Sequence, residues 1–240
     1  MTHRHASHKT FGIAIVLLSF LAIGCAGAGG PGDSVKGISN DDANRLNSTH
    51  SRFESSEDPP FTADTRFAAG RLAESQNAPR AAIEQYNEAL KINPKHEASL
   101  YRLGVVQTQL KLYPDAIKTW RKYVEVTEGS STAYSNLAFC YELSGQPRDA
   151  EATYQKGIAK DPKGAACRVN YGLMLARMNR INEAITHLGA VLSPAEVHYN
   201  IGSVYEQTGR KEEAKAEYEK AISMDPELKD ARVRLARLRK

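Results

Sequence analysis

Residues 195–228 read AEVHYNIGSVYEQTGRKEEAKAEYEKAISMDPEL, and the reading of the whole chain follows from this stretch. With Ala195 as position 1, Gly202, Tyr205, Gly209, Ala214, Tyr218, Ala221 and Pro226 fall at positions 8, 11, 15, 20, 24, 27 and 32. Each has a steric reason. Gly202 and Ala214 are small where two antiparallel helices cross, because a larger side chain would hold them apart. Tyr218 is bulky because it fills the space between neighbouring helix pairs. Gly209 supplies the left-handed backbone of the turn between the helices. Pro226 follows the second helix and stops it.

The same positions recur upstream in register. The first small position reads Gly70, Gly104, Ala138, Gly172 and Gly202, and the second reads Ala82, Ala116, Ala150, Ala184 and Ala214. The bulky position reads Tyr86, Trp120, Tyr154, Leu188 and Tyr218, and the turn position reads Asn77, Lys111, Gly145, Asn179 and Gly209. The spacing is 34 residues three times and then 30. Five copies in register resemble the tetratricopeptide repeat, over residues 63–228. That resemblance implies an all-α fold, a right-handed superhelical solenoid of antiparallel helix pairs. Its core is a continuous strip along the stack.

Three local features depart from a uniform array. Pro114 starts the second helix of repeat two, a favoured place for proline, and Glu128-Gly129 ends that helix where repeat one uses Pro94. Repeat four loses four residues before Ala195. One helical turn is 3.6 residues, so its second helix is predicted to be a turn short, ending at Leu192-Ser193-Pro194. Residues 229–240 read KDARVRLARLRK and are predicted to form a capping helix, with Ala231, Leu235, Ala236 and Leu238 over repeat five. Its basic side chains either face water near the helix C-terminus or meet an anionic lipid.

The start of the chain has a different character. Arg4 and Lys9 precede an apolar run from Phe11 to Gly24, too short for a bilayer span of about 20 residues. A charged start, a short apolar run and small residues after it describe a secretory signal peptide over residues 1–24. Leu21-Ala22-Ile23-Gly24-Cys25 resembles a bacterial lipoprotein box, which implies cleavage before Cys25 and a lipid on that cysteine. The alternative is an ordinary signal peptide cut after Ala26 or Ala28. Residues 25–62, rich in Gly, Ser, Asn, Asp and Pro, are predicted to be a flexible tether with a reach of roughly 30–35 Å.

The chain has 240 residues, 41% of them hydrophobic and 25% charged, with a formal net charge of +4. Removal of residues 1–24 takes away Arg4 and Lys9 and leaves the rest nearly balanced. No long basic stripe points to nucleic acid. Gly27, Gly29 and Gly32 match a dinucleotide fingerprint only in spacing, because no strand precedes them and Pro31 interrupts them. No catalytic group, metal cluster or cofactor motif stands out. By register, His198 takes a core position in the first helix of repeat five. Cys140 and Cys167 occupy small-residue positions of consecutive first helices. They are either two buried thiols in place of alanine or, in an oxidising compartment, a disulfide stapling repeats three and four.

Binding is the chemistry that remains. In the family, the first helices build the concave face. Position 6 reads Ala68, Arg102, Asn136, Asn170, Asn200 and Arg234, with three successive asparagines. Amides both donate and accept, so this row can pair with the backbone of an extended peptide, or it can brace the helices. Tyr101, Val105, Phe139, Val169, Leu173 and Tyr199 flank it as an expected apolar groove. The predicted partner-binding residues are therefore Tyr101, Arg102, Asn136, Phe139, Asn170, Leu173, Tyr199 and Asn200. Position 5 carries no lysine, so the chaperone-tail clamps of the family are not matched.

Together these readings predict a non-catalytic protein-interaction scaffold, lipid-anchored at Cys25 in the bacterial envelope, on the periplasmic side of the outer membrane. Its partner is another protein offering an extended or helical segment. The architecture resembles pilotins and pilus-assembly lipoproteins. An adaptor for peptidoglycan enzymes or for outer-membrane protein assembly is the alternative.

Overall fold

The computed structural model describes residues 61–239, so the predicted signal peptide, Cys25 and nearly all of the tether lie outside the described residues. Eleven helices follow among those residues: α1 (Ala63–Ser75), α2 (Pro79–Ile92), α3 (Glu97–Gln109), α4 (Tyr113–Val126), α5 (Ser131–Leu143), α6 (Pro147–Lys160), α7 (Ala165–Arg177), α8 (Ile181–Gly189), α9 (Pro194–Gln207), α10 (Lys211–Met224) and α11 (Lys229–Leu238). Odd-numbered helices are the first helices of each repeat and even-numbered ones the second. Each first helix packs on its own second helix, and each second helix packs on the next first helix. The fold is an all-helical solenoid of such pairs.

The helix pairs are spaced by the residues the register singled out. A Cβ placed on Gly104 would lie 2.6 Å from the Trp120 ring, and one on Gly202 would lie 2.9 Å from the Tyr218 ring. In each case the bulky residue sits over the glycine of its own repeat. It therefore fills the crossing within a pair, where the sequence reading had placed it between pairs. Tyr86, Tyr154 and Tyr218 are fully buried there. Burying a side chain of this size contributes about 1.5–3 kcal/mol.

The turns explain why glycine is optional at the left-handed position. Asn77, Lys111 and Asn179 have φ of 56°, 60° and 60°, next to 76° for Gly145 and 78° for Gly209. Each is followed by a bond that closes the helix end, such as Leu112 N–H to Gln107 O at 2.8 Å and Arg210 N–H to Tyr205 O at 2.8 Å. These bonds satisfy carbonyls that would otherwise be orphaned at the helix C-terminus. The lysine at 111 thus accepts the strain of a left-handed backbone because the motif around it fixes the turn.

Repeat four is the irregular one. Helix α8 has 9 residues where α10 has 14. It ends at Gly189, earlier than the predicted stop. Ser193 and Pro194 instead open α9: the Ser193 hydroxyl accepts from Glu196 N–H at 3.3 Å, and the Glu196 carboxylate accepts from Ser193 N–H at 2.8 Å. This is a capping box with proline at the first helical position. At the end of the stack, Ala231 and Leu235 of α11 are buried, whereas Ala236 is exposed. Among the described residues, no helix is long and apolar enough to cross a membrane.

Candidate functional site

The first helices offer one face with exposed apolar side chains. Tyr101 on α3 is 36% exposed, and Phe139 and Leu143 on α5 are 39% and 42% exposed. Val105 and Tyr199 are half-buried. Tyr101 is held in place by Trp120 and Tyr123, whose ring centroids each lie 5.7 Å from its own. Such aromatic contacts fix a side chain without hiding it.

The expected groove does not continue evenly into repeat four. Leu173 is 8% exposed and Val169 is 2% exposed. Helix α7 is packed by α5 on one side and α9 on the other, so these two side chains belong to the core and Leu173 offers little surface to a partner. The exposed apolar surface of this face is concentrated on α3 and α5.

The amide row is largely engaged within the chain. Asn170 Nδ2 donates to the Ser135 hydroxyl at 2.7 Å, tying α7 to α5. Asn200 Nδ2 donates to Glu196 O at 2.8 Å, within its own helix. Asn136 differs, because its Nδ2 is buried with no partner. Of the two roles the sequence leaves open for this row, bracing describes Asn170 and Asn200, while the Asn136 amide nitrogen makes no bond. A polar hydrogen left unpaired in a core is costly.

Arg102 is likewise committed. Its Nε donates to Glu74 at 3.0 Å, its Nη2 pairs with the same carboxylate, and the Tyr86 hydroxyl donates to that carboxylate as well. Burial alone would raise the Glu74 pKa, but the bonds from Arg102 and Tyr86 hold it below the usual carboxylate value. The same clasp recurs at the other end of the stack. Tyr218 donates to Glu206 at 2.6 Å and Arg234 donates to it at 3.2 Å. In each clasp positions 12 and 24 of one repeat meet position 6 of the next.

The intermediate boundaries are built otherwise. In repeat two, Trp120 Nε1 donates to Thr108 at 3.1 Å, a neutral pair. In repeat four the corresponding residues are Ala176 and Leu188, both buried. In repeat three, Glu142 and Tyr154 stand at the clasp positions but Asn170 replaces the arginine. Glu142 is held by Arg177 instead, at 2.7 Å and 3.0 Å, and the buried Tyr154 hydroxyl has no partner. Burial outweighs Arg177 and raises the Glu142 pKa. Sequence reasoning missed Glu142 and gave Tyr154 a packing role alone. The signal that would have found them is the pairing of Glu at position 12 with Tyr at position 24.

Cys140 and Cys167 are free, buried thiols and form no disulfide. The Cys167 thiol donates to Ser131 O at 3.1 Å, while Cys140 faces the Thr108 hydroxyl at 3.9 Å. Burial pushes the Cys167 thiol up to about 11 and also raises Cys140, which leaves both protonated and poorly nucleophilic. His198 is half-buried and its Nδ1 lies 2.6 Å from Glu217 on α10.

Comparison with known proteins agrees with this geometry. Tetratricopeptide-repeat models match residues 67–131, 133–166 and 195–228, together more than half of the chain. The chain is 23% identical over 167 residues to tetratricopeptide repeat protein 8 of Caenorhabditis elegans, covering 67% of this chain and 33% of that protein. It is 30% identical over 111 residues to the type IV pilus assembly protein PilF of Pseudomonas aeruginosa, covering 44% of each. It thus spans less than half the length of either relative. Among solved structures, PilW, a widely conserved type IV pilus biogenesis factor, superposes with a TM-score of 0.53 at 18% identity, covering 67% of this chain and 76% of its own. MamA gives a TM-score of 0.53 at 24% identity, covering 67% of this chain and 90% of its own. At such identities these structures show the fold alone. The chain belongs to the tetratricopeptide-repeat family and is a protein-interaction scaffold of stacked helix pairs.

Proposed function

We propose that this scaffold is held to the bacterial envelope by a lipid on Cys25 and receives an extended segment of another protein on the face of its first helices. The observation that carries the binding reading is the set of exposed apolar side chains Tyr101, Phe139 and Leu143 on neighbouring first helices. An exposed apolar row rimmed by polar groups marks an interaction surface. Tyr199 extends the row, the half-buried Asn136 offers a partner its amide oxygen and not its buried nitrogen, and Arg102, Asn170 and Asn200 hold the face in shape. Residues 25–62 act as the tether, residues 63–228 as the binding array and residues 229–240 as its cap.

Similarity to PilF supports a role in pilus assembly, the lipoprotein box supports a lipid on Cys25, and Ala26 in place of a retaining aspartate is compatible with delivery to the outer membrane facing the periplasm. Two measurements test the proposal. Labelled fatty acid should enter the wild type and not Cys25→Ser, and the variant should leave the membrane fraction. The double variant Tyr101→Asp/Phe139→Asp should stay folded by circular dichroism and lose the partner recovered with wild type. Absence of lipid on the wild type would remove the anchoring claim, and undiminished partner recovery with the double variant would remove the binding claim.

A further inference from the structure

Helix α11 packs on α10 through the buried Ala231 and Leu235. The arc turned away from them carries Lys229, Arg232, Val233, Ala236 and Arg237, all exposed. At 3.6 residues per turn these five share one stripe, and Asp230, the one acid of the helix, lies about a quarter turn off it. On the second helices, exposed cations pair with an acid three residues away, as Lys91 does with Glu88, Lys118 with Asp115 and Lys220 with Glu217. Arg234 and Arg239 are matched too, by Glu206 at 3.2 Å and Glu219 at 2.8 Å. Lys229, Arg232 and Arg237 differ, because they make no ion pair among the described residues. Arg232 and Arg237 have no acid three or four positions away.

We propose that the outer face of α11 docks on an anionic phospholipid surface. Charge complementarity carries the inference. Three cations are held on one side of a rigid helix with no acid among them, so they repel one another until an anionic layer faces them. The centre of the stripe selects a bilayer over a soluble polyanion. Val233 is 49% exposed and stands with the exposed Ala236 between the cations. A helix lying in the interface places such apolar side chains at the acyl boundary and its basic side chains among the phosphates. The long stems of lysine and arginine let the charged heads reach the phosphates from beside that centre. Each cation near an anionic surface contributes about fivefold in affinity, and three together on the order of a hundredfold. This contact adds to the lipid proposed on Cys25 and does not depend on it.

The test uses the chain from residue 25 with Cys25→Ser, which keeps all eleven described helices and carries no lipid. It is sedimented with vesicles of phosphatidylglycerol and of phosphatidylcholine in about 20 mM salt, where screening is weak. The chain should bind the anionic vesicles and not the neutral ones, and about 0.5 M salt should release it. Arg232→Glu/Arg237→Glu should keep the helical circular dichroism and weaken binding about thirtyfold or more. Lys95→Glu/Lys163→Glu removes the same charge from two exposed lysines elsewhere and should weaken it by less than about threefold. Equal losses from the two double variants would overturn the site in favour of net charge alone. Absence of binding to the anionic vesicles would overturn the lipid surface, and capture of polyglutamate in its place would give the face to an acidic chain. Neither result bears on the lipid at Cys25, which fatty-acid labelling decides separately.

Discussion

The Tyr218 hydroxyl donates to Glu206 at 2.6 Å, joining the two helices of one repeat through a buried ring. Tyr154 has the same register and burial and no such bond. Removing the hydroxyl should therefore have opposite consequences at the two sites. Tyr218→Phe should cost about 0.5–1.5 kcal/mol, the net worth of one hydrogen bond. Tyr154→Phe should cost nothing or stabilise, since it removes an unsatisfied polar group. Urea denaturation of both variants measures this, and equal losses would contradict it.

Gly104 tests the helix crossing. A Cβ there would lie 2.6 Å from the Trp120 ring, and both residues are in the core. Gly104→Ala should overpack the crossing at a cost of about 1–3 kcal/mol. Thermal melting reads the loss. An unchanged midpoint would mean that the glycine is not a spacing residue.

The fold was legible because each marked position has one steric task. Small residues at a crossing, a ring above them and a left-handed turn leave a periodic trace, even where Lys111 stands for glycine. The site was less legible. Whether Asn170 faces a partner or a neighbour depends on a hydroxyl 35 residues away, and Leu173 is buried because α9 closes on α7. Such facts depend on which helices touch, and position number alone does not carry them. Helix α8 stops at Gly189, before the expected Leu192-Ser193-Pro194, for a related reason: Ser193 and Pro194 are start signals for α9.

The two bracing amides should differ in worth. Asn170 joins two helices, so Asn170→Ala should lower stability by about 0.5–1.5 kcal/mol. Asn200 bonds only to its own helix, and Asn200→Ala should stay within about 0.5 kcal/mol of wild type. Melting midpoints of the two variants check the order.

His187 gives a pH dependence. Its ring lies tilted against that of Tyr171, with 4.5 Å between centroids, and its Nδ1 is buried without a partner. Burial first, and then Arg168, lower its pKa below the ordinary 6.5, with Arg180 adding to this and Glu183 and Glu151 opposing. The unfolded chain therefore takes up this proton first as pH falls. The stability that neutral His187 allows is fully present above about pH 6.5 and is lost as pH falls toward the folded pKa. His187→Phe should lose less stability than wild type between about pH 7.5 and 5.5. Parallel curves for the two proteins would contradict the assignment.

A protein seated on the first-helix face at α3 and α5 can be captured there by site-specific photo-crosslinking in cells. A photoreactive residue at Tyr101, Phe139 or Leu143 should give one common adduct, and the same group at the exposed second-helix positions Lys118 and Lys156 should give none. Adducts that form only from Lys118 and Lys156, or no adduct from the first-helix positions, would contradict the account.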